Sequence, residues 1–149
     1  MSPNLKICAP ATASLLSLCA CAFPRDPANT TQQVLEGGHV RVGLVAGASP
    51  SERTIMEAFA RSVAEAQNAT PQFESASAKH LIDELDEGDL DLVVGPFAKK
   101  SPWKKRVALT RPYHAKNDNG AGAPIRGAVR LGENRWLIDV ERETRPRGS

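Results

Sequence analysis

The chain has little cysteine, and none of it lies where it could staple a fold. The three cysteines, Cys8, Cys19 and Cys21, all sit near the N-terminus of the 149 residues. If that segment is removed as a leader, at most one remains, and no internal disulfide can form. A long apolar run is also missing. Ile7 to Ala22 is almost free of charge, but it is short and broken by Pro10, so it does not make a membrane span. Charge of one sign is not in excess either: 19 Lys and Arg face 17 Asp and Glu. Removing residues 1–20 takes away one base, Lys6, and no acid. A balance this close to neutral gives no global drive toward nucleic acid or an anionic membrane. No internal repeat and no low-complexity tract stands out. Catalytic patterns are lacking as well. There is no Ser-His-Asp spacing, and Gly43-x-x-x-Gly47 lacks the phosphate-binding fingerprint. The acidic group Asp83, Glu84, Asp86 and Glu87 has no converging His or Cys, and His80 reads as a surface residue. No enzyme chemistry, no metal and no cofactor is expected.

What is present begins with an export signal. Lys6, an apolar stretch and small residues match a secretory leader over 1–22. Two cleavage readings compete. Ala20-Cys21-Ala22 suits ordinary signal peptidase, whereas Leu18-Cys19-Ala20-Cys21 resembles a lipoprotein box that would make Cys21 a lipid anchor. The polar segment after Cys21 favours the second. Arg25, Asp26 and two nearby prolines argue against a buried N-terminal helix. Residues 23–38 read as a tether, or as a short lead-in helix over Thr30 to Leu35.

A domain follows at 39–145. His39 to Val45 alternates and then becomes wholly apolar, as a strand entering a sheet does. Ser49-Pro50-Ser51-Glu52 is a capping box with proline at the first helical position. The helix it opens runs to about Gln67, with Ile55, Met56, Phe59, Val63 and Ala66 on one face. Gln72 to Ser75 is a short strand. Ser77 caps a helix carrying Leu81, Ile82 and Leu85 inward, and Gly88 ends it. Asp91 to Gly95 has no polar interruption after Asp91 and suits a strand covered on both faces. Strand, helix, strand, helix, strand implies an α/β fold: an open, mostly parallel sheet of three to five strands, with helices on both faces. In such sheets ligands bind beyond the carboxyl ends of the strands, which places the loop from Pro96 to Arg106 at the site.

Glu87-Gly88-Asp89-Leu90-Asp91-Leu92-Val93-Val94-Gly95, followed by Arg106-Val107-Ala108-Leu109-Thr110-Arg111-Pro112-Tyr113, resembles bacterial extracellular solute-binding proteins of family 3. These are the periplasmic receptors of polar amino-acid ABC transporters. The resemblance covers about residues 39 to 114. It implies a lobe of a periplasmic-binding-protein fold, a small polar solute, a membrane transporter as partner, and a periplasmic or cell-envelope location. Family members have two lobes. Here residues 115–123 form a turn-rich linker in place of lobe two, Pro124 to Leu131 resembles the strand that completes lobe one, and Asn134 caps a last helix carrying Trp136, Leu137 and Val140. Arg142 to Ser149 reads as a charged tail.

The resemblance implies a ligand site at Ser49, Gly95, Pro96, Phe97, Ala98 and Trp103. It also departs from the family there. Ala98 stands at the position of a solute-binding hydroxyl, and Trp103 at that of a carboxylate-clamping arginine, with Lys104 and Arg106 nearby. Weak or altered ligand binding is expected. Phe97, Trp103 and Tyr113 on an open cleft would instead suit a protein partner or self-association, so an interaction module is the alternative. Nucleic acid is not an expected partner, although Lys99 to Arg106 is basic and contains Trp103.

Overall fold

The structure, a computed structural model, describes residues 26–113 and 123–145. Cys21 with the rest of the expected leader, and residues 115–122 of the expected linker, lie outside the described residues. Ten elements follow in order: α1 (Thr30–Gly37), β1 (His39–Val45), α2 (Pro50–Ala66), β2 (Thr70–Ala76), α3 (Ala78–Glu87), β3 (Leu92–Pro96), a 3-10 turn (Pro102–Lys105), β4 (Val107–Leu109), β5 (Ile125–Arg130) and α4 (Asn134–Arg142).

The strands form one sheet in the order β2-β1-β3-β5-β4. β2, β1 and β3 run parallel, and β5 is antiparallel to both β3 and β4. The sheet is therefore mostly parallel, with β5 inserted as the one reversed strand. Side chains alternate across it. Val40, Val42, Leu44, Leu92, Val94, Ile125 and Val129 share one core with Val34 of α1, Met56, Phe59 and Val63 of α2, and Trp136 and Val140 of α4. Val93 and Ala128 share the other with Leu81, Ile82 and Leu85 of α3, together with Phe97 and Val107. Helices cover both faces, as the uninterrupted apolar run of β3 requires.

The lead-in segment is not a free tether. From Asp26 onward it folds onto the lobe, and its helix runs to Gly37 with Val34 fully buried. Two carboxylates lock it there. Asp26 accepts hydrogen bonds from the backbone N–H of Arg135 at 2.8 Å and of Trp136 at 3.0 Å. It thereby supplies the N-terminal cap of α4, which Asn134 does not. Glu133 is buried, and it accepts from Ala28 N at 2.7 Å and Thr30 N at 3.0 Å. It satisfies the N-terminus of α1 in return. Each helix start has orphan amides, and each is closed by a residue from the other end of the chain.

The local signals in the middle of the chain behave as expected. Ser49 and Glu52 form a full capping box, Ser77 caps α3, and Gly88 ends α3 with φ 94°. β2 is longer than its apolar residues suggest, because its edge pairs with all seven residues of β1. Asp91 joins three elements. Its carboxylate accepts from the Arg41 N–H at 2.8 Å and pairs with the Arg41 guanidinium, while its carbonyl accepts from Trp136 Nε1 at 2.8 Å.

Candidate functional site

β1, β3 and β4 all end on the same edge of the sheet, where β5 begins. Three chain segments are laced together there. Phe97 N donates to Pro124 O at 3.1 Å, Thr110 N to Gly127 O at 2.9 Å, and Tyr113 N to Ile125 O at 2.9 Å. Thr110 is buried; its hydroxyl accepts from Gly127 N at 3.0 Å and donates to Arg111 O at 2.8 Å. The edge is thus preorganised by backbone bonds rather than left to a loose loop.

Each of the six residues expected at the site has structural contacts of its own. Ser49 is exposed at the start of α2, but its hydroxyl donates to Glu52 Oε2 at 2.7 Å. That bond and the Ser49 backbone N–H hold the Glu52 carboxyl below its ordinary range. Gly95 is packed beneath Val45. A Cβ there would lie 2.5 Å from Val45 Cγ2, so its lack of a side chain has a packing cause. Pro96 pairs with Ile125 at the end of β3. Ala98 is exposed, and its carbonyl accepts from Ser101 N at 3.0 Å.

The aromatic residues differ most from expectation. Phe97 is 3% exposed and belongs to the core under α3. Trp103 is half-buried and leans on that same core. Tyr113 stacks on Phe59 with ring centroids 4.6 Å apart, on the α2 side. The open aromatic face expected of Phe97, Trp103 and Tyr113 therefore does not form. Two of the rings fill one core, the third lies against the other, and burial of each large apolar ring is strongly favourable.

Arg106 does not stand in for the missing clamp. Its guanidinium is 2.9 Å from Asp83 Oδ1 and also pairs with Asp86. The outer face of α3 is thus partly matched by charge from the loop rather than wholly solvated. Lys99, Lys100, Lys104 and Lys105 are exposed. Among the described residues none of them has a carboxylate within ion-pair distance.

Arg126, which the sequence did not suggest, is the cation built into the edge. It faces Gly95 across the β3–β5 pairing. Its Nε donates to Phe97 O at 3.1 Å and its Nη1 to Thr110 O at 2.7 Å. Burial pushes its pKa below the usual guanidinium value. The family pattern directed attention to position 103, whereas this arginine lies in β5.

No group of His, Cys, Asp and Glu among the described residues could hold a metal ion. No helix among them is long and apolar enough to cross a membrane.

Neither a protein-family model nor a curated protein sequence matches the chain. Solved structures do. The arginine-bound form of domain 1 from TmArgBP superposes with a TM-score of 0.64 at 21% identity, covering 75% of this chain and 95% of that one. The chain has the fold of a single binding-protein lobe. Larger proteins match this lobe over part of their length. The P235GK mutant of ArgBP from T. maritima gives a TM-score of 0.50 at 21% identity, covering 56% of this chain and 40% of that one. The ancestral amino-acid-binding protein AncCDT-1, a precursor of cyclohexadienyl dehydratase, gives 0.50 at 22%, covering 61% and 47%. Near-complete coverage of an isolated first domain, beside coverage of under half of the larger chains, marks the unit shared as one lobe.

Proposed function

We propose that this lobe belongs to an exported solute-binding protein that serves ABC-type uptake of small polar solutes such as amino acids. It would hold its solute weakly at the carboxyl edge of the sheet. The observation that carries this reading is the match to domain 1 from TmArgBP, a single lobe of the same extent whose structure is of its arginine-bound form. The geometry is compatible with it. The edge is laced by backbone hydrogen bonds, lacks a wide aromatic surface, and carries a built-in guanidinium in a lobe whose following loop has exposed lysines. An interaction module would rest on an open aromatic cleft, and the burial of Phe97 takes that support away.

A thermal-shift panel of amino acids and other small polar solutes on residues 23–149 tests the reading. A ligand that binds the native state raises its stability by mass action. A solute with Kd about 1 mM, present at about 10 mM, adds about 1.4 kcal/mol. For a domain of this size that raises Tm by about 3–5 °C. A panel in which no solute moves Tm by about 1 °C would overturn it. Intact mass of the membrane fraction tests the anchor: an unlipidated chain starting at Phe23 excludes Cys21.

A further inference from the structure

We propose that the outer edge of β2 is a pairing surface for a second copy of this chain, met antiparallel across a two-fold axis at Phe73. This concerns the margin of the sheet opposite β4 and does not depend on the solute-binding reading.

β2 lies at one margin of the sheet and β4 at the other. β4 has three residues, whereas β2 has seven. The backbone of β2 faces two ways. Thr70 N donates to Gly38 O, and Ala76 O accepts from Ala46 N, both at 2.9 Å. The register with β1 is unbroken from Thr70 to Ala76. In a parallel pair, alternate residues turn both backbone groups to the same neighbour. Thr70, Gln72, Glu74 and Ala76 therefore face β1, and Pro71, Phe73 and Ser75 face outward. Among the described residues nothing accepts from the N–H of Phe73 or Ser75. An edge of this length with unpaired groups is a template for another strand.

The edge fits a copy of itself. A closed pair of identical chains is isologous, which makes the two strands antiparallel. With Phe73 opposite its counterpart, the two Phe73 residues exchange both N–H···O bonds. Each Ser75 N–H then meets the Pro71 carbonyl of the other copy, so every outward donor of β2 is used. Proline is a usual guard of an exposed edge. Here, lacking an N–H, it leaves only the Ser75 carbonyl of the other copy to water.

Side chains select the same register. Phe73 packs on the α2 side and Ala76 on the α3 side, so alternation puts Gln72 and Glu74 on the α3 side. The axis at Phe73 sets exposed Gln72 across from exposed Glu74, an amide against a carboxylate. An axis at Glu74 would make as many backbone bonds but set Glu74 against Glu74, and like charges directly opposite are destabilising. An axis at Gln72 would leave half of the backbone bonds within β2. The two Phe73 rings meet across the chosen axis. Each lies under its own Arg61 at 5.2 Å, whose charge Glu57 answers. A single strand edge is smaller than the roughly 1,200 Å² of stable interfaces, so the pair is reversible and forms at high protein concentration.

Residues 23–149 keep every described residue and serve for the test. Sedimentation velocity over a rising concentration series should show the mass moving from one chain toward two. In 15N-labelled protein the amide resonances of Phe73 and Ser75 should shift saturably over the same series, and those of Gln72 and Glu74, which face β1, much less. Gln72→Lys sets a cation across from Glu74 twice per pair and should tighten the dimer by about 2- to 30-fold, the size of two cross-strand charge pairs. Gln72→Glu should loosen it by a similar factor. Gln72 is exposed, so neither change touches the core, and far-UV circular dichroism checks that each variant is folded. A chain that stays monomeric throughout, Phe73 and Ser75 amides that do not move, or a dimer equally strong in both Gln72 variants overturns the proposal. A monomeric chain whose Phe73 and Ser75 amides respond to an added peptide of the β2 residues in scrambled order also overturns it, and assigns the edge to a foreign strand.

Discussion

The junction of Asp26, Glu133 and the starts of α1 and α4 is open to a direct energetic test. Glu133→Ala removes a buried acceptor of two backbone amides, Ala28 N at 2.7 Å and Thr30 N at 3.0 Å. A hydrogen bond to a charged group contributes about 1.5–3 kcal/mol net. Thr30 is buried and Ala28 is half-buried, so water can replace the lost partner well at only one of the two amides. The lower half of the range then applies, and the loss should be about 3 kcal/mol, or a Tm lower by about 6–12 °C at this chain length. Asp26→Ala removes the cap of α4 and the contacts to Thr31, a loss of about 2 kcal/mol at the upper end for helix caps. Because both carboxylates hold one junction, cutting either loosens the other. The double variant should fall short of the summed losses by at least about 0.5 kcal/mol. Urea denaturation followed by circular dichroism measures all four states of the cycle. Single variants within about 0.5 kcal/mol of wild type, the range of ordinary surface changes, would refute the reasoning and make residues 26–38 the tether that their composition suggests.

Two further outcomes follow from packing and from charge. Gly95→Ala places a Cβ 2.5 Å from Val45 Cγ2 and 2.8 Å from Val45 Cβ. It should cost about 1–3 kcal/mol in urea denaturation as overpacking, and much less when made on a Val45→Ala background; an equal cost on both backgrounds would refute the contact. Glu74 has its pKa raised above 4.5, first because its protonated form can hydrogen-bond to the neighbouring Glu84, whose Oε2 is buried with no other partner, then by burial and the Glu84 charge. The folded state therefore holds this proton more tightly than the unfolded one, and the stability it contributes is present below the unfolded value and lost as pH rises through the folded one. Glu74→Gln donates to Glu84 at every pH, so it should match wild type at pH 4 and exceed it at pH 7. Glu74 is largely exposed, and the gain should be about 0.5 kcal/mol, the scale of like-charge repulsion between neighbours. A difference that does not change between pH 4 and 7 would refute it.

The sequence was legible where the signal is local. Ser49 through Glu52 holds its own helix start, Gly88 its own helix end, and Leu92 to Val94 can only be a covered strand. These residues interact within a few positions of one another or with a generic apolar environment. The failures are all long-range. Asp26 looked like tether because its partners, Arg135 and Trp136, are more than a hundred residues away. Arg106 looked like a near-miss for a ligand clamp until Asp83 and Asp86 took it. Phe97 follows a strand, and the pattern gave no sign that α3 and β4 would close over it. Arg126 carried no signal because its role depends on two carbonyls, of Phe97 and Thr110, brought together only by the sheet.

A solute at this edge meets the described residues from one side only. Small-molecule sites usually bury about 70–90% of their ligand, and most of the affinity comes from that enclosure. One face cannot provide it, so directional polar contacts must supply a larger share. This places two demands on the edge. It must be rigid before the solute arrives, since ordering a loop would consume the modest gain. Its main polar group must also be held in place and partly shielded from solvent, because exposed charges such as Lys99 and Lys100 are weakened by salt. The ladder from Phe97, Thr110 and Tyr113 to Pro124, Ile125 and Gly127 meets the first demand. Arg126, fixed by two carbonyls and half withdrawn from water, meets the second. Binding here should therefore lose its lysine-dependent part as salt rises to about 0.5 M while keeping the part that Arg126 supplies, and calorimetry of wild type and Arg126→Gln at low and high salt separates the two contributions. Affinity that vanishes altogether at high salt, alike in wild type and variant, would assign it to the loop lysines and not to Arg126.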